Sequence, residues 1–294
     1  MSSPVLLSLV GRIRRAGELM AAGVGALFSN SANRKTFLLF NSAELGALAR
    51  QLSSTMPQAS LSETDVQCDV RDWRLHFTSQ LSGTGLEIGA LYKPMPLHDG
   101  MTVRHVDHGT STQLRAWYPE LASQPLVEPD VVDDASSLTS IADASVDFVI
   151  AAHVIEHLRD PIGALAAWCR VVRPGGHIYI VVPDKRFSFD RHRVRTTLEH
   201  LILDHRRPSE DRDFEHYLEY ASLVHGAAGD AALDEAERLR ATNHSIHFHV
   251  FMPSDVVALL HWFARTMWPV TMVERPATSP HHDEFHVLLQ VTAR

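Results

Sequence analysis

Apolar residues crowd together between Val5 and Phe28, but Arg12, Arg14, Arg15 and Glu18 interrupt them. A membrane-spanning helix needs about 20 consecutive apolar residues. A secretory leader carries its positive charges ahead of the apolar run, whereas here they follow Leu6–Val10. The pattern predicts an amphipathic helix, which could pack on the body of the protein, mediate homodimerisation or touch a membrane surface. Phe37, Leu38, Phe40, Leu45 and Leu48 predict a second helix over residues 36–56.

The period changes at Thr84. Gly85–Gly89, Val103–Asp107, Val127–Val132, Val146–Ala151 and His177–Val182 read as strands. VDFVIA and HIYIVV are nearly unbroken apolar runs, as in strands covered on both faces. Ile162–Val172 has helical spacing and is expected to stop at Pro174-Gly175-Gly176. Residues 186–245 then break the alternation with charged, His-rich helical patterns. Thr196 and Glu199 suggest a capping box for Leu198–His205. Ser209 could cap a helix carrying Phe214, Tyr217, Leu218, Ala221 and Val224, and Gly229-Asp230 opens a third helix running to about Arg240. Alternation resumes with a helix capped by Ser254 and two closing strands, Pro269–Glu274 and Glu284–Thr292.

Seven strands alternating with helices predict an α/β, Rossmann-like, doubly wound and mostly parallel sheet. The expected organisation is an N-terminal helical appendage at 1–80 and an α/β domain at 81–294, with a helical lid insert at 186–245. Residues 1–80 hold eight Lys/Arg against six Asp/Glu, while the whole chain carries a net charge of −8, so the balance shifts at this boundary. An acidic chain is a poor default binder of nucleic acid or anionic membranes, and its charge reads first as solubility. Two cysteines, Cys68 and Cys169, make neither a disulfide framework nor a thiolate metal site; they fit a reducing, cytoplasmic setting. The 19 histidines are far more than such a chain needs and call for a local explanation.

Open parallel sheets bind ligands beyond the carboxyl ends of their strands. The first strand ends in Glu87-Ile88-Gly89-Ala90, where Gly89 lets the backbone approach a ligand. Asp107 ends the second and can accept both hydroxyls of a ribose. Asp134 beside Ala135 follows the third and suits the amino edge and ring of an adenine. The fourth ends in Ala152-His153, followed by Val154-Ile155-Glu156-His157.

In order, LEIGA (86–90), VDH (106–108), DDASSL (133–138), ADASVDFVIAAHVIEHLRDP (142–161) and VVRPGGHIYIVVPD (171–184) resemble the class I S-adenosylmethionine-dependent methyltransferases, close to the group called methyltransferase type 11. The likeness spans about 85–185, covers 254–292 only by element order, and leaves out 1–80 and the insert. It implies S-adenosylmethionine as cofactor, held by Glu87, Gly89, Asp107, Asp134, Ala135 and His153, and it puts Glu156-His157 at the border of the active site. The chain departs from the family at Ala90-Leu91-Tyr92, where further glycines are usual. A dinucleotide would need those glycines to seat its pyrophosphate on a helix N-terminus. S-adenosylmethionine has no phosphate, so their absence favours it.

Methyl transfer is an in-line displacement that depends on positioning. A hydroxyl acceptor also has to lose a proton, and His157 or His153 could take it. His192, His200, His247 and His249 are expected to line the acceptor pocket, with Arg191, Arg193, Arg206 and Arg207 suiting a polar or acidic acceptor. His200 and Asp204 share a helical face, and His247 and His249 would share one face of a strand over 245–250. With those four residues the same segment could instead hold a transition metal. His281-His282 reads as a solvated turn. The function expected is methylation of a small polar acceptor, such as the O-methylation of a sugar or secondary metabolite. The alternatives are a metal-dependent enzyme on the same scaffold, and a non-catalytic interaction protein whose crevice beyond Gly89 is filled by side chains.

Overall fold

Strands form where β-branched and aromatic residues run unbroken, and the longest such runs lie at the centre of the sheet. The computed structural model describes residues 70–208, 210–274, 276 and 283–293. The chain divides into two units, Met1–Thr64 and Asp65–Arg294; the helices expected over 5–28 and 36–56, and His281-His282, lie outside the described residues. Helix α1 (Val70–Thr78) leads into β1 (Gly83–Ile88), β2 (Met101–Asp107), α2 (Ser111–Trp117), β3 (Val131–Val132) and β4 (Val146–Ala152). Then follow α3 (Pro161–Val171), β5 (Val172–Pro183), the insert helices α4 (Leu198–Arg206), α5 (Glu210–Leu223) and α6 (Asp230–Ala241), and finally α7 (Pro253–Thr266), β6 (Val270–Glu274) and β7 (Glu284–Val291).

These strands make one seven-stranded sheet in the order β3-β2-β1-β4-β5-β7-β6. β1 to β5 are parallel, and β7 runs antiparallel to both β5 and β6. The winding direction reverses between β1 and β4, which opens a crevice at their carboxyl ends. Alternate residues of β4 and β5 feed two buried layers, as the pleat requires. Val149, Ala151, Ile178 and Ile180 meet Leu165 and Trp168 of α3 on one face. Phe148, Ile150, Tyr179 and Val181 meet Phe77 of α1 on the other.

Several boundaries differ from expectation for local reasons. Helix α3 ends at Val171 and Val172 is already extended, so β5 runs through Pro174-Gly175-Gly176; a residue before proline, here Arg173, is pushed out of the helical region. The third strand shrinks to Val131–Val132, since Pro129 has no N–H for a ladder. Thr197, not Thr196, caps α4 by accepting from the His200 N–H at 3.3 Å; Thr196 instead accepts from the Val250 N–H at 3.0 Å. Met252 precedes α7, with Pro253 in its first turn, so Ser254 lies inside the helix. Ser209 lies outside the described residues. No described helix is long and apolar enough to cross a membrane.

Helix α1 packs on the sheet. Its Phe77 ring stacks on Tyr179 and His286, each at 5.3 Å between centroids. Phe77→Ala should therefore cost about 3–5 kcal/mol, measured by urea unfolding of the full chain. A loss below about 1 kcal/mol would show that α1 is not part of the domain core.

Candidate active site

The crevice between β1 and β4 continues into a cavity of about 480 Å³ bordered by Gly89, Asp107, Asp134, Ala135, His153 and His157. Gly89 turns out of β1 with φ +67, a conformation that favours glycine. The two further glycines of the family are replaced by other means: Leu91 itself takes φ +48, and its carbonyl accepts from the Val127 N–H at 2.7 Å. Glu87 shapes the same loop. Its Oε1 accepts from the Met95 N–H at 2.7 Å, and its Oε2 lies 3.4 Å from His105 Nε2. Glu87 is buried beneath this loop and is not among the residues that border the cavity.

Asp107 ends β2 with a relative exposure of 8%. The backbone and the ring Nδ1 of His108 both lie 2.8 Å from its Oδ1, while Oδ2 makes no hydrogen bond among the described residues. The Asp133 N–H donates to the Asp107 carbonyl at 3.0 Å, which carries Asp134 and Ala135 to the same cavity wall. Asp134 Oδ1 accepts from the Ser136 N–H and Oγ, each at 2.7 Å. Asp133 instead accepts from Ser140 and Thr139. The two carboxylates singled out from the sequence thus share one cavity, and a filled crevice, as a non-catalytic chain would have, is not what this fold presents.

On the far wall, His153 adopts φ +54, costly for a residue with a Cβ. Its N–H donates to the Val181 carbonyl at 2.9 Å, and its Nε2 lies 2.8 Å from Glu284 Oε2. Arg74 forks onto the same carboxylate, with Nε at 3.0 Å and Nη2 at 2.8 Å. Burial works against the His153 charge, but the hydrogen bond to Glu284 and the nearby Glu156 and Glu284 charges outweigh it, so its pKa rises above the usual histidine value. Glu284 shows the counterpart: burial opposes its ionisation, yet His153 and Arg74 hold it down at about 2. Both oxygens of buried Glu156 lack hydrogen-bond partners among the described residues, and burial pushes its pKa up.

His157 follows on a short 3-10 turn, Ile155–His157. Its Nδ1 donates to the Ile246 carbonyl at 2.9 Å, which leaves the lone pair on Nε2. Burial and the neighbouring His247 push its pKa down to about 3, so the ring is neutral near pH 7. His247 lies edge-on to His157 at 4.6 Å, and its Nδ1 is 2.6 Å from Asp190 Oδ2. Arg193 is buried beneath them, bonded to Asp190 at 2.9 Å and to the His247 carbonyl at 2.7 Å. It is therefore a strut of the insert and does not face an acceptor.

The other insert residues depart further from expectation. Residues 245–250 do not form a strand. Ile246 and Phe248 pack on Tyr217, Ala221, Ala236 and Leu239, while His247 and His249 are also buried. The segment is enclosed on both sides, so a two-residue alternation does not sort its side chains. His192 is exposed and pairs with Arg191. His200 and His249 join Asp204, away from the cavity. None of His192, His200, His247 and His249 borders it. Its acceptor-side wall is built instead from Arg159, Asn243, His244, Ser245 and Phe248. Arg159 and Asn243, joined at 2.8 Å, are 84 residues apart, and no sequence pattern marks them as partners.

Residues 83–180 match the family model described as a methyltransferase domain. This segment, on a Rossmann-like sheet of this strand order, is similar to the S-adenosylmethionine-dependent methyltransferases. The matching model is that of the type 11 group. A SAM-dependent methyltransferase from Aquifex aeolicus shares 14% identity over 76% of this chain and 90% of its own, with a TM-score of 0.42. One from Methanosarcina mazei shares 18% over 75% of this chain and 97% of its own, with a TM-score of 0.39. No curated protein matches the chain.

The cavity fits the cofactor this family implies. A buried carboxylate with one free oxygen, Asp107, stands where a ribose diol would need an acceptor. Gly89 offers bare backbone, and Asp134 beside Ala135 leaves room for a ring.

Glu284 couples this site to pH. Its folded pKa lies below its ordinary value of 4.5, at about 2. Its stabilisation is therefore full above pH 4.5 and is lost as pH falls toward 2. Glu284→Gln should remove that acid-dependent part and cost on the order of 3 kcal/mol at pH 7, because Arg74 and His153 lose their buried partner. Thermal unfolding across pH 2–7 measures both; parallel curves for the two proteins would contradict the assignment.

Proposed function

We propose that this methyltransferase O-methylates a small polar acceptor, such as a sugar or another hydroxylated metabolite. One observation carries the reading. One cavity is bordered by the carboxylates of Asp107 and Asp134, by imidazoles that include His153 and His157, and by an amide, hydroxyls and a guanidinium. When bound, S-adenosylmethionine supplies an electrophilic methyl whose transfer leaves a neutral thioether. Asp107 holds the ribose hydroxyls, Asp134 and Ala135 take the adenine, and Gly89 gives the backbone close approach.

The two histidines divide the acceptor chemistry. His157 is neutral and carries its lone pair on Nε2, so it accepts a hydrogen bond from the acceptor hydroxyl and orients it. Its depressed pKa makes it a weak proton acceptor. His153 is the better base: Glu284 fixes its tautomer and stabilises the imidazolium that forms. Ser245 and Asn243 add hydrogen bonds to the acceptor.

Calorimetry with S-adenosylhomocysteine tests the cofactor end. Asp107→Ala should weaken binding by about 1.5–3 kcal/mol, the scale of a charged hydrogen bond; unchanged affinity would show that another group holds the ribose. The pH dependence of kcat/KM tests the base, with acceptors found by screening hydroxylated metabolites for transfer of a labelled methyl group. His153 loses its base form as pH falls through its raised pKa, so activity should fall below neutrality. His153→Gln should remove that limb and cost about 10²–10⁴-fold. A rate constant with pH down to about 4 would transfer the role to His157.

A further inference from the structure

A second cluster lies within the insert. His200 and Asp204 project from one face of α4, His216 comes from α5, and His249 comes from the segment after α6. One ligand atom from each lies within 4.8 Å of all the others. His200 Nε2 is 2.9 Å from Asp204 Oδ2 and 3.3 Å from His216 Nε2, and His216 Nε2 is 3.6 Å from the same oxygen. Tetrahedral ligands at zinc–nitrogen distances of about 2.0–2.1 Å stand roughly 3.3 Å apart, so these spacings already match the edges of such a shell.

The buried polar atoms point the same way. His249 is fully buried, with Nε2 directed at the Arg159 carbonyl at 3.3 Å. A carbonyl only accepts, so Nε2 carries the proton and Nδ1 the lone pair. That Nδ1 has no hydrogen-bond partner among the described residues, and Asp204 Oδ2 lies beside the Nε2 atoms of both His200 and His216. A buried acceptor without a donor is unfavourable, and this one converges with the Asp204 carboxylate. Around them is the outer support that metal ligands usually have: Arg212 Nε donates to the other Asp204 oxygen at 2.6 Å, and the His249 backbone N–H donates to the Glu156 carbonyl at 3.1 Å.

We propose that His200, Asp204, His216 and His249 bind one zinc-class divalent ion that clamps α4 and α5 to the 246–250 segment. Three imidazoles and one carboxylate favour zinc over magnesium or calcium, which take mainly oxygen ligands. Four protein ligands close the shell, which is the pattern of a structural site. The ion lies outside the methyl-transfer cavity. It acts on that cavity through the Arg159 carbonyl and through Phe248, which flanks His249 and borders the acceptor wall. His247, a ligand candidate in the sequence, is engaged with Asp190, and His216 takes its place.

The test uses full-length, tag-free protein stripped with a chelator and titrated with Zn(II) or Co(II) alone. The expected result is one equivalent bound, intense visible bands of tetrahedral Co(II), and a higher thermal midpoint with metal. Asp204→Asn and His200→Ala should each abolish the Co(II) bands. Arg212→Gln, which keeps all four ligands, should weaken binding by about 10- to 100-fold. S-adenosylhomocysteine affinity should not change when the ion is removed, which separates this site from the cofactor cavity. No saturable uptake by the parent protein, or equal uptake in Asp204→Asn and His200→Ala, would overturn the assignment. Loss of S-adenosylhomocysteine binding with the metal would overturn it too, by placing the ion in the wrong cavity.

Discussion

A single buried carboxylate joins three distant parts of the chain. Glu284, at the first residue of β7, accepts the Arg74 fork from α1 and lies in hydrogen-bond reach of His153 at the end of β4. The arrangement holds because each charge is compensated: an ionised carboxylate at this depth would be expensive without both cationic partners. It docks α1 on the sheet, supports the left-handed backbone of His153, and raises the pKa of that imidazole.

The excess of histidines resolves into separate electrostatic situations. His153 is charged readily because carboxylates surround it, whereas His157 is held neutral by burial and by His247. His247 is engaged with Asp190, and His200, His216 and His249 gather around Asp204. Alike in sequence, these residues differ in burial and in the charged groups that lie near them.

Much of the cofactor end was legible beforehand. Asp107, Asp134 and Ala135 lie at or just beyond the carboxyl ends of the second and third strands, and parallel strands aligned in register bring those ends together. Glu87 shows the limit of that reading: it also sits at a strand end, but its side chain turns into the loop and holds Met95. The acceptor wall was hardly legible. Arg159, Asn243 and Ser245 come from separate turns, and the 245–250 segment, which alternates like a strand, is buried on both sides.

Local sequence determined the alternation of strands and helices, the strand order's family likeness and the carboxylates of the crevice, because these depend on periodicity and on position within an element. The tertiary structure alone decided which histidine is basic, which is neutral and which converge on Asp204. Those properties depend on burial and on partners as far as 131 residues away, and neither is encoded in the spacing of neighbouring residues.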